Sequence, residues 1–295
     1  MSEAAGFSAE WLDLREPCDR AARSAALKGA LAARLADAEG SGPVTLVDLG
    51  AGTGALLRDL APLVRRAQDW RLVERDPALV RAGAARLATW ATERGWQARE
   101  TEEAGLEISR PDGAIRIRWE RRDLSRGLGF LADPGVDAIL ASALVDLVSA
   151  EWADELAGTV AGGRAHLLLC LEVDGTVRFD PPLDDDPEVH AAFARHQRTD
   201  KGFGPALGPA AASHVAARLM AMGRRVELRE SPWRLGPGER AVQVALVEGM
   251  ARAAGETAPA RAAAFADWAA ARRRLAEAGR STMVVGHLDL LSVGP

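Results

Sequence analysis

The chain contains no tyrosine and, among 295 residues, only two lysines, Lys28 and Lys201. The first absence removes the phenol as an acid or base. The second leaves nearly all positive charge to arginine, which is spread among acids to a net charge of −5. That balance argues against a phosphate-tracking nucleic-acid surface, which needs clustered positive charge. The one compact run, Arg272-Arg273-Arg274, falls in an alanine-rich stretch and is expected to be a solvated helix face. Cys18 and Cys170 lie far apart and are expected to be free thiols. The five histidines form no zinc or iron spacing, so no metal is expected. No apolar run approaches the roughly 20 residues a spanning helix needs. Met1 to Arg20 lacks the basic start and apolar core of an export signal, so a cytoplasmic protein without membrane contact is expected. No repeat and no long Gly/Ser/Pro linker divides the chain, and 48% hydrophobic content suffices for one sizeable core.

What is present is an alternation of strands and helices. Val44-Thr45-Leu46-Val47-Asp48-Leu49 reads as a buried parallel strand, followed by Gly50-Ala51-Gly52-Thr53-Gly54 and a helix predicted over 55–66. Glycines here permit left-handed backbone and close ligand approach at a helix N-terminus. A second strand ends in Glu74, twenty residues beyond Gly54, where an acid can grip a ribose diol. A third, Ile115 to Glu120, closes with Arg121-Arg122-Asp123-Leu124, and a fourth, Val136 to Leu140, runs into Ala141-Ser142. A nicotinamide-dinucleotide enzyme stays open as an alternative, because Gly50 to Ala55 also satisfies G-x-G-x-x-A. Ser8 and Pro17 are predicted to open two helices ahead of the sheet, the second with Leu27, Leu31 and Leu35 in one stripe. Leu106-Glu107-Ile108 and Ile115-Arg116-Ile117 alternate around Pro111-Asp112-Gly113, the pattern of a hairpin.

The four strand ends over about 44–175, and more loosely the C-terminal strand pair Arg225 to Arg229 and Thr282 to Leu291, resemble the class I S-adenosylmethionine-dependent methyltransferases of small-molecule type. The resemblance implies an α/β, Rossmann-like, seven-stranded doubly wound sheet with an antiparallel last strand, in one domain spanning 1–295. Its parts would be N-terminal helices (1–40), a cofactor-binding core (41–180), insertions forming a substrate lid (181–223 and 236–278) and the last strand (282–294). It also implies S-adenosylmethionine as cofactor, with S-adenosylhomocysteine released. Gly50, Ala51 and Gly52 would lie against that cofactor, Asp48 order its amino-acid end, and Glu74 take both ribose hydroxyls. Arg75 would flank the adenine, Asp123 and the Leu124 backbone bond it, and Ala141 and Ser142 line the methionine moiety. Arg15 is a candidate clamp for the cofactor carboxylate, since guanidinium pairs bidentately with carboxylates.

Methyl transfer from a sulfonium is an in-line displacement, so the protein aligns the nucleophile, excludes water and sometimes removes a proton. Asp146, a carboxylate among Leu144, Val145, Leu147 and Val148, and His196 are the candidate catalytic groups. Asp146, His196, Arg198, Lys201 and Phe203 are the candidate substrate contacts, in a mixture favouring a small polar acceptor. Trp233 is a candidate pocket wall, with a core position the commoner role for such an aromatic. His166 and His287, within predicted strands, are expected to be satisfied core residues. RNA or protein methylation, and a non-catalytic cofactor-binding regulator, remain as alternatives. The alanine-rich helix 259–278 is open to packing on its own domain or on a second copy.

Overall fold

The computed structural model describes residues 7–37, 42–101, 105–133 and 135–294. Helices α1 (Ala9–Ala22) and α2 (Ala25–Ala36) precede strand β1 (Val44–Leu49), helix α3 (Ala55–Leu60), strand β2 (Gln68–Val73) and helix α4 (Pro77–Glu93). Strands β3 (Gln97–Thr101), β4 (Gly105–Ser109), β5 (Ile115–Glu120) and β6 (Ala138–Ser142) follow, then α5 (Ala150–Gly162) and the long β7 (His166–Asp180). The chain continues through α6 (Asp186–His196), α7 (Ala211–Ala221), β8 (Arg225–Glu230), β9 (Trp233–Leu235), α8 (Arg240–Thr257), α9 (Ala262–Glu277) and β10 (Thr282–Val293).

Helix starts follow their caps. Ser8, Ser24 and Ser149 each accept a backbone N–H three residues on, opening α1, α2 and α5, and Asp76 with Pro77 opens α4. Pro17 opens nothing: it lies inside α1, which runs on to Ala22, and Cys18 therefore sits mid-helix. The second helix begins instead at the Ser24 cap. Helix α3 stops at Leu60, short of the expected Arg66, because Pro62 follows and the chain tightens into a 3-10 turn over Ala61–Leu63.

The sheet order is β3-β4-β5-β2-β1-β6-β7-β10-β8, with β9 pairing β10. Strands β5, β2, β1, β6 and β7 are parallel, while β10 inserts antiparallel between β7 and β8. The seven expected strands are thus present, extended by the β3–β4 antiparallel pair at one edge and by β9. One face packs α2, α3 and α4 through Leu27, Leu31, Leu35, Leu57 and Leu87, all fully buried. Burying each such leucine contributes roughly 1.5–3 kcal/mol. The other face packs α5 and α7 through Leu156, Val160, Val215 and Leu219. A third apolar cluster joins α6, α8 and α9 to the outer ends of β7, β9 and β10, with Trp11, Leu14 and Cys18 of α1 against it.

The triple arginine is not one solvated face. Arg272 is 1% exposed, donates to the Pro181 carbonyl at 2.7 Å and to Asp186, and lies 4.0 Å over the Phe179 ring. It ties α9 to the start of α6. Among the described residues, no helix is long and apolar enough to cross a membrane.

Candidate functional site

Ligands of open α/β sheets lie beyond the carboxyl ends of the strands, and two polar clusters occupy that end here. The first surrounds the turn after β1. Gly50, Gly52 and Gly54 have φ of 64°, 56° and 77°, a left-handed series that side chains with a Cβ resist. A Cβ on Gly52 would stand 3.0 Å from Leu12 of α1, and one on Gly50 3.3 Å from Leu144, so the turn is roofed closely on two sides. Ala51 between them is buried.

Asp48, the fifth residue of β1, is 1% exposed and its Oδ2 has no partner. Burial pushes its carboxyl up to about 7, with the Arg23 charge pulling the other way. Arg23 is itself buried at the end of α1. It donates to Ser142 Oγ at 3.2 Å and to Asp59 at 3.5 Å, and its Nε is unpartnered, as is Asp19 Oδ1 beside it. Ala141 is fully buried under this cluster.

Along the sheet, Glu74 accepts from the Gly52 N–H at 3.0 Å and the Asp76 N–H at 2.9 Å. Burial raises its pKa against the pull of those N–H groups. One strand further, Asp123 caps a 3-10 turn, accepting from the Ser125 hydroxyl at 2.7 Å and the Ser125 N–H at 3.1 Å. The hydroxyl bond leads in holding its pKa low, and the exposed Arg75 adds to it. Leu124 is buried, and its carbonyl accepts from Trp152 Nε1 at 2.8 Å.

The second cluster lies beyond β6 and β7. Asp146 sits in a 3-10 turn over Val145–Leu147, and its N–H donates to Glu172 of β7 at 2.9 Å. Glu172 is fully buried, and Asp146 Oδ1 and Glu172 Oε1 both lack partners. Burial lifts the Asp146 carboxyl to about 6, and burial followed by the Asp146 charge lifts Glu172 well above its ordinary value. Two non-glycine residues with positive φ, Ala143 at 54° and Leu171 at 59°, flank the pair, and backbone strain of this kind collects at functional sites.

His287 of β10 corrects an expectation. His166 is satisfied, its Nδ1 accepting from the Gly294 N–H at 2.8 Å. His287 is 5% exposed and its Nδ1 has no partner. Its ring lies 5.1 Å from that of Trp233, whose Nε1 is likewise unpartnered although the residue belongs to the third apolar cluster. Burial first, then the Arg15 charge, pushes the His287 pKa down to about 4, leaving a neutral imidazole. Arg15 bonds Asp19 at 2.9 Å, lies 5.6 Å over the Trp233 ring, and its charge also acts on Asp146. Arg15 therefore belongs with Asp146 and His287, and the arginine beside Asp48 is Arg23.

The remaining sequence candidates gather elsewhere. His196, at the end of α6, contacts Glu256 of α8 at 2.9 Å and Lys201 at 3.2 Å. Arg198 is exposed and packs over the Gly208 turn. Phe203 stands edge-on to Trp152 at 6.0 Å, in the core on the α5 side. The partners of Asp146 are Glu172 and Arg15, so the two groups expected to share the chemistry sit in different clusters. Glu172, Arg23 and His287 were missed, since each lies in a run that reads simply as strand or helix. An acid inside the apolar stretch Leu167 to Val173 was the available signal.

An open groove of about 460 Å³ runs between α1 and α4, lined by Asp13, Glu16, Arg58, Arg86 and Glu93 among others. Its charges answer one another, Arg86 with Asp13 and Arg58 with Glu16. The unsatisfied charged groups Asp48, Arg23, Asp146 and Glu172, and so the candidate site, are at the strand ends.

No protein-family model and no curated protein matches the chain. Solved structures do. An O-methyltransferase family protein from Burkholderia thailandensis is 14% identical with a TM-score of 0.40, over 88% of this chain and 56% of its own. The chain thus spans little more than half the length of that protein. A cyclopropane synthase from Mycobacterium tuberculosis is 11% identical with a TM-score of 0.45, over 97% and 94%. The phosphoethanolamine N-methyltransferase 2 of Haemonchus contortus is 10% identical with a TM-score of 0.42, over 100% and 61%. The fold assignment rests on the chain's own strand order: five parallel strands with an antiparallel β10 between β7 and β8. The chain has the class I methyltransferase fold.

Proposed function

We infer that the protein transfers a methyl group from S-adenosylmethionine to a small polar molecule. The observation that carries this is the order of polar groups along the strand ends: Arg23 with Asp48 at β1, Glu74 at β2, Asp123 at β5. That order suits an amino acid, a ribose and an adenine laid along one edge. Asp48 Oδ2 and Asp19 Oδ1 are buried acceptors without partners, fitting an ammonium, and the unpartnered Arg23 Nε fits a carboxylate. The turn at Gly50 to Gly52, left-handed at both glycines and crowded by Leu144 and Leu12, lets backbone approach a ligand closely. Glu74 exchanges its Gly52 bond for ribose hydroxyls, Asp123 accepts from the adenine amine, and Arg75 flanks it.

The bound sulfonium supplies an electrophilic methyl. The chain's own residues orient it, keep water out beneath α1, and accept a proton from the nucleophile in the second cluster, where Asp146 is the candidate base. Calorimetric titration with S-adenosylmethionine and with NAD(H) tests this reading. Saturable S-adenosylmethionine binding is expected, weakened at least roughly 10-fold by Glu74→Ala and by Arg23→Ala, each removing a charge-assisted contact. Preference for NAD(H), or binding indifferent to both substitutions, overturns it.

A further inference from the structure

We propose that Glu172 is a positioning residue for methyl transfer: as a neutral carboxylic acid it donates a hydrogen bond to the Asp146 carboxylate, leaving that group's other oxygen to accept the nucleophile's proton. The proposal rests on the methyl-transfer reading above and adds the residue that holds the base.

The backbone brings the two acids together through strained turns. Strands β6 and β7 stay paired only as far as Ser142 and Cys170, and the next residue on each side has positive φ, Ala143 at 54° and Leu171 at 59°. Both turns are pinned. The Ala143 N–H donates to the Cys170 carbonyl at 2.9 Å, and the Leu171 N–H to the buried Asp289 carboxyl at 2.8 Å. Residues other than glycine persist in this conformation only where their surroundings over-determine it. Glu172 follows directly, and its Oε2 accepts the Asp146 N–H at 2.9 Å.

That bond occupies one oxygen of Glu172 and leaves the other. Glu172 Oε1 and Asp146 Oδ1 are both sealed from solvent without an N–H or hydroxyl donor. The two side chains also hydrogen-bond one another. Such a bond needs a proton on one carboxyl, because an ionised carboxyl only accepts. Burial decides which one carries it. Glu172 is 0% exposed, whereas Asp146 is partly exposed and the charge of Arg15 from α1 favours its ionised form. The proton therefore sits on Glu172. The neighbouring titratable groups are otherwise engaged or turned away. Asp289 accepts from the Ser24 and Leu171 N–H groups and the Ser231 hydroxyl, and His287, opposite Val173, lies on the other face of the sheet from Glu172.

The arrangement suits a base. The acceptor's proton passes to the Asp146 carboxylate, the bonding pair staying on the acceptor atom, and leaves to water after the product departs. The Glu172 proton is not spent; it fixes the orientation of the Asp146 carboxyl throughout.

The test reads protonation directly, by carboxyl-carbon NMR on the intact protein, with the signals assigned through Asp146→Asn and Glu172→Gln. Glu172 is expected to stay protonated at neutral pH, where Asp146 is ionised. Glu172→Met removes the donor and should raise the proton affinity of Asp146 at least roughly 10-fold, the scale of one hydrogen bond to a charged group. Glu172→Gln offers an amide donor in the same place and should restore it to near the wild-type value. An ionised Glu172 predicts the opposite sign, both substitutions lowering that affinity by removing a like charge, and a role confined to holding the turn predicts no change. Either result overturns the proposal, and the wild-type spectrum decides even where a variant fails to fold. The same signals are then followed with S-adenosylmethionine and with S-adenosylhomocysteine, which differ by one methyl group and one positive charge. Asp146 is expected to hold its proton about 3-fold or more weakly beside the sulfonium. Binding of both with no such difference leaves the cofactor reading standing and overturns the pair as its base. Binding of neither removes the methyl-transfer reading, and this role with it.

Discussion

The two ends of the central sheet treat buried polar groups differently. At the amino end of the parallel strands, Gln68 is fully buried yet complete: its amide nitrogen donates to Ala61 and Val64 carbonyls at 2.9 and 2.8 Å, and its oxygen accepts from Trp70 Nε1 at 2.8 Å. Arg110 adds donors to Ala61, Arg66 and Gly113 carbonyls, and Asp137 accepts from the Thr45 N–H at 2.7 Å. At the carboxyl end, Asp48, Arg23, Asp146, Glu172, His287 and Trp233 each keep a buried atom unpaired. The division is not absolute, for Asp69 Oδ1 and the Trp90 and Trp119 indoles also lack hydrogen-bond partners. Buried polar groups cost free energy when unpaired. One end is therefore built for its own stability, the other at the expense of it.

The largest test of that contrast sets Gln68→Ala against Asp48→Asn. The first strands the Trp70 N–H and opens a cavity, and should cost about 3 kcal/mol in urea unfolding. The second removes a carboxyl with no donor of its own and should leave the protein at least as stable as the wild type at pH 8. An equal loss in both would dissolve the distinction between the ends.

The pH dependence of stability sharpens it next. Asp48 titrates at about 7 folded against 3.8 ordinarily, so between those values the folded state holds the extra proton and stability falls as pH rises. His287 titrates at about 4 folded against 6.5, so across that window the unfolded state holds the extra proton and stability rises with pH. Urea unfolding from pH 4 to 8 should show Asp48→Asn without the first slope and His287→Gln without the second. Slopes identical to wild type in both would mean that neither group is desolvated as described.

The smallest effect concerns the turn itself. Gly52→Ala places a Cβ 3.0 Å from Leu12 at a φ of 56°, and should cost about 1–2 kcal/mol. Adding Leu12→Ala should recover only the contact part of that loss, leaving the backbone part. Additive losses would show that α1 does not press on the turn.

The parallel strands and the turn after β1 were legible in the sequence because each feature is local. Buried parallel strands read as apolar runs, caps announce helices, and Gly50, Glu74 and Asp123 fall at spacings set by single βα units. The parallel sheet followed from the same alternation, and the antiparallel last strand from the family resemblance. Glu172 and His287 were not legible, because their surroundings form only where β10 inserts antiparallel beside β7, a pairing of residues over a hundred positions apart, and where β9 pairs with β10. His287 looked like an ordinary strand residue for that reason. Arg23 and Arg272 were hidden differently: a helical arginine reads as solvent-facing until the element that covers it is known. His196 misled because its polar neighbours serve one another on the α6–α8 surface.

Strand β7 parts from β6 after Cys170 yet stays paired with β10 as far as Asp180. Those ten further residues make a mast about 30 Å long at strand rise, in which β9 joins β7 and β10 over Met283 to Val285. The outer helices α6, α8 and α9 are stepped on it through Phe179, Val177, Met283 and Val285. A load applied to those helices reaches the glycine turn through ladder hydrogen bonds rather than through a slack tether. Any displacement of them is thus geared to the torsion of a ribbon, on which Glu172, Asp174 and His287 ride at the foot.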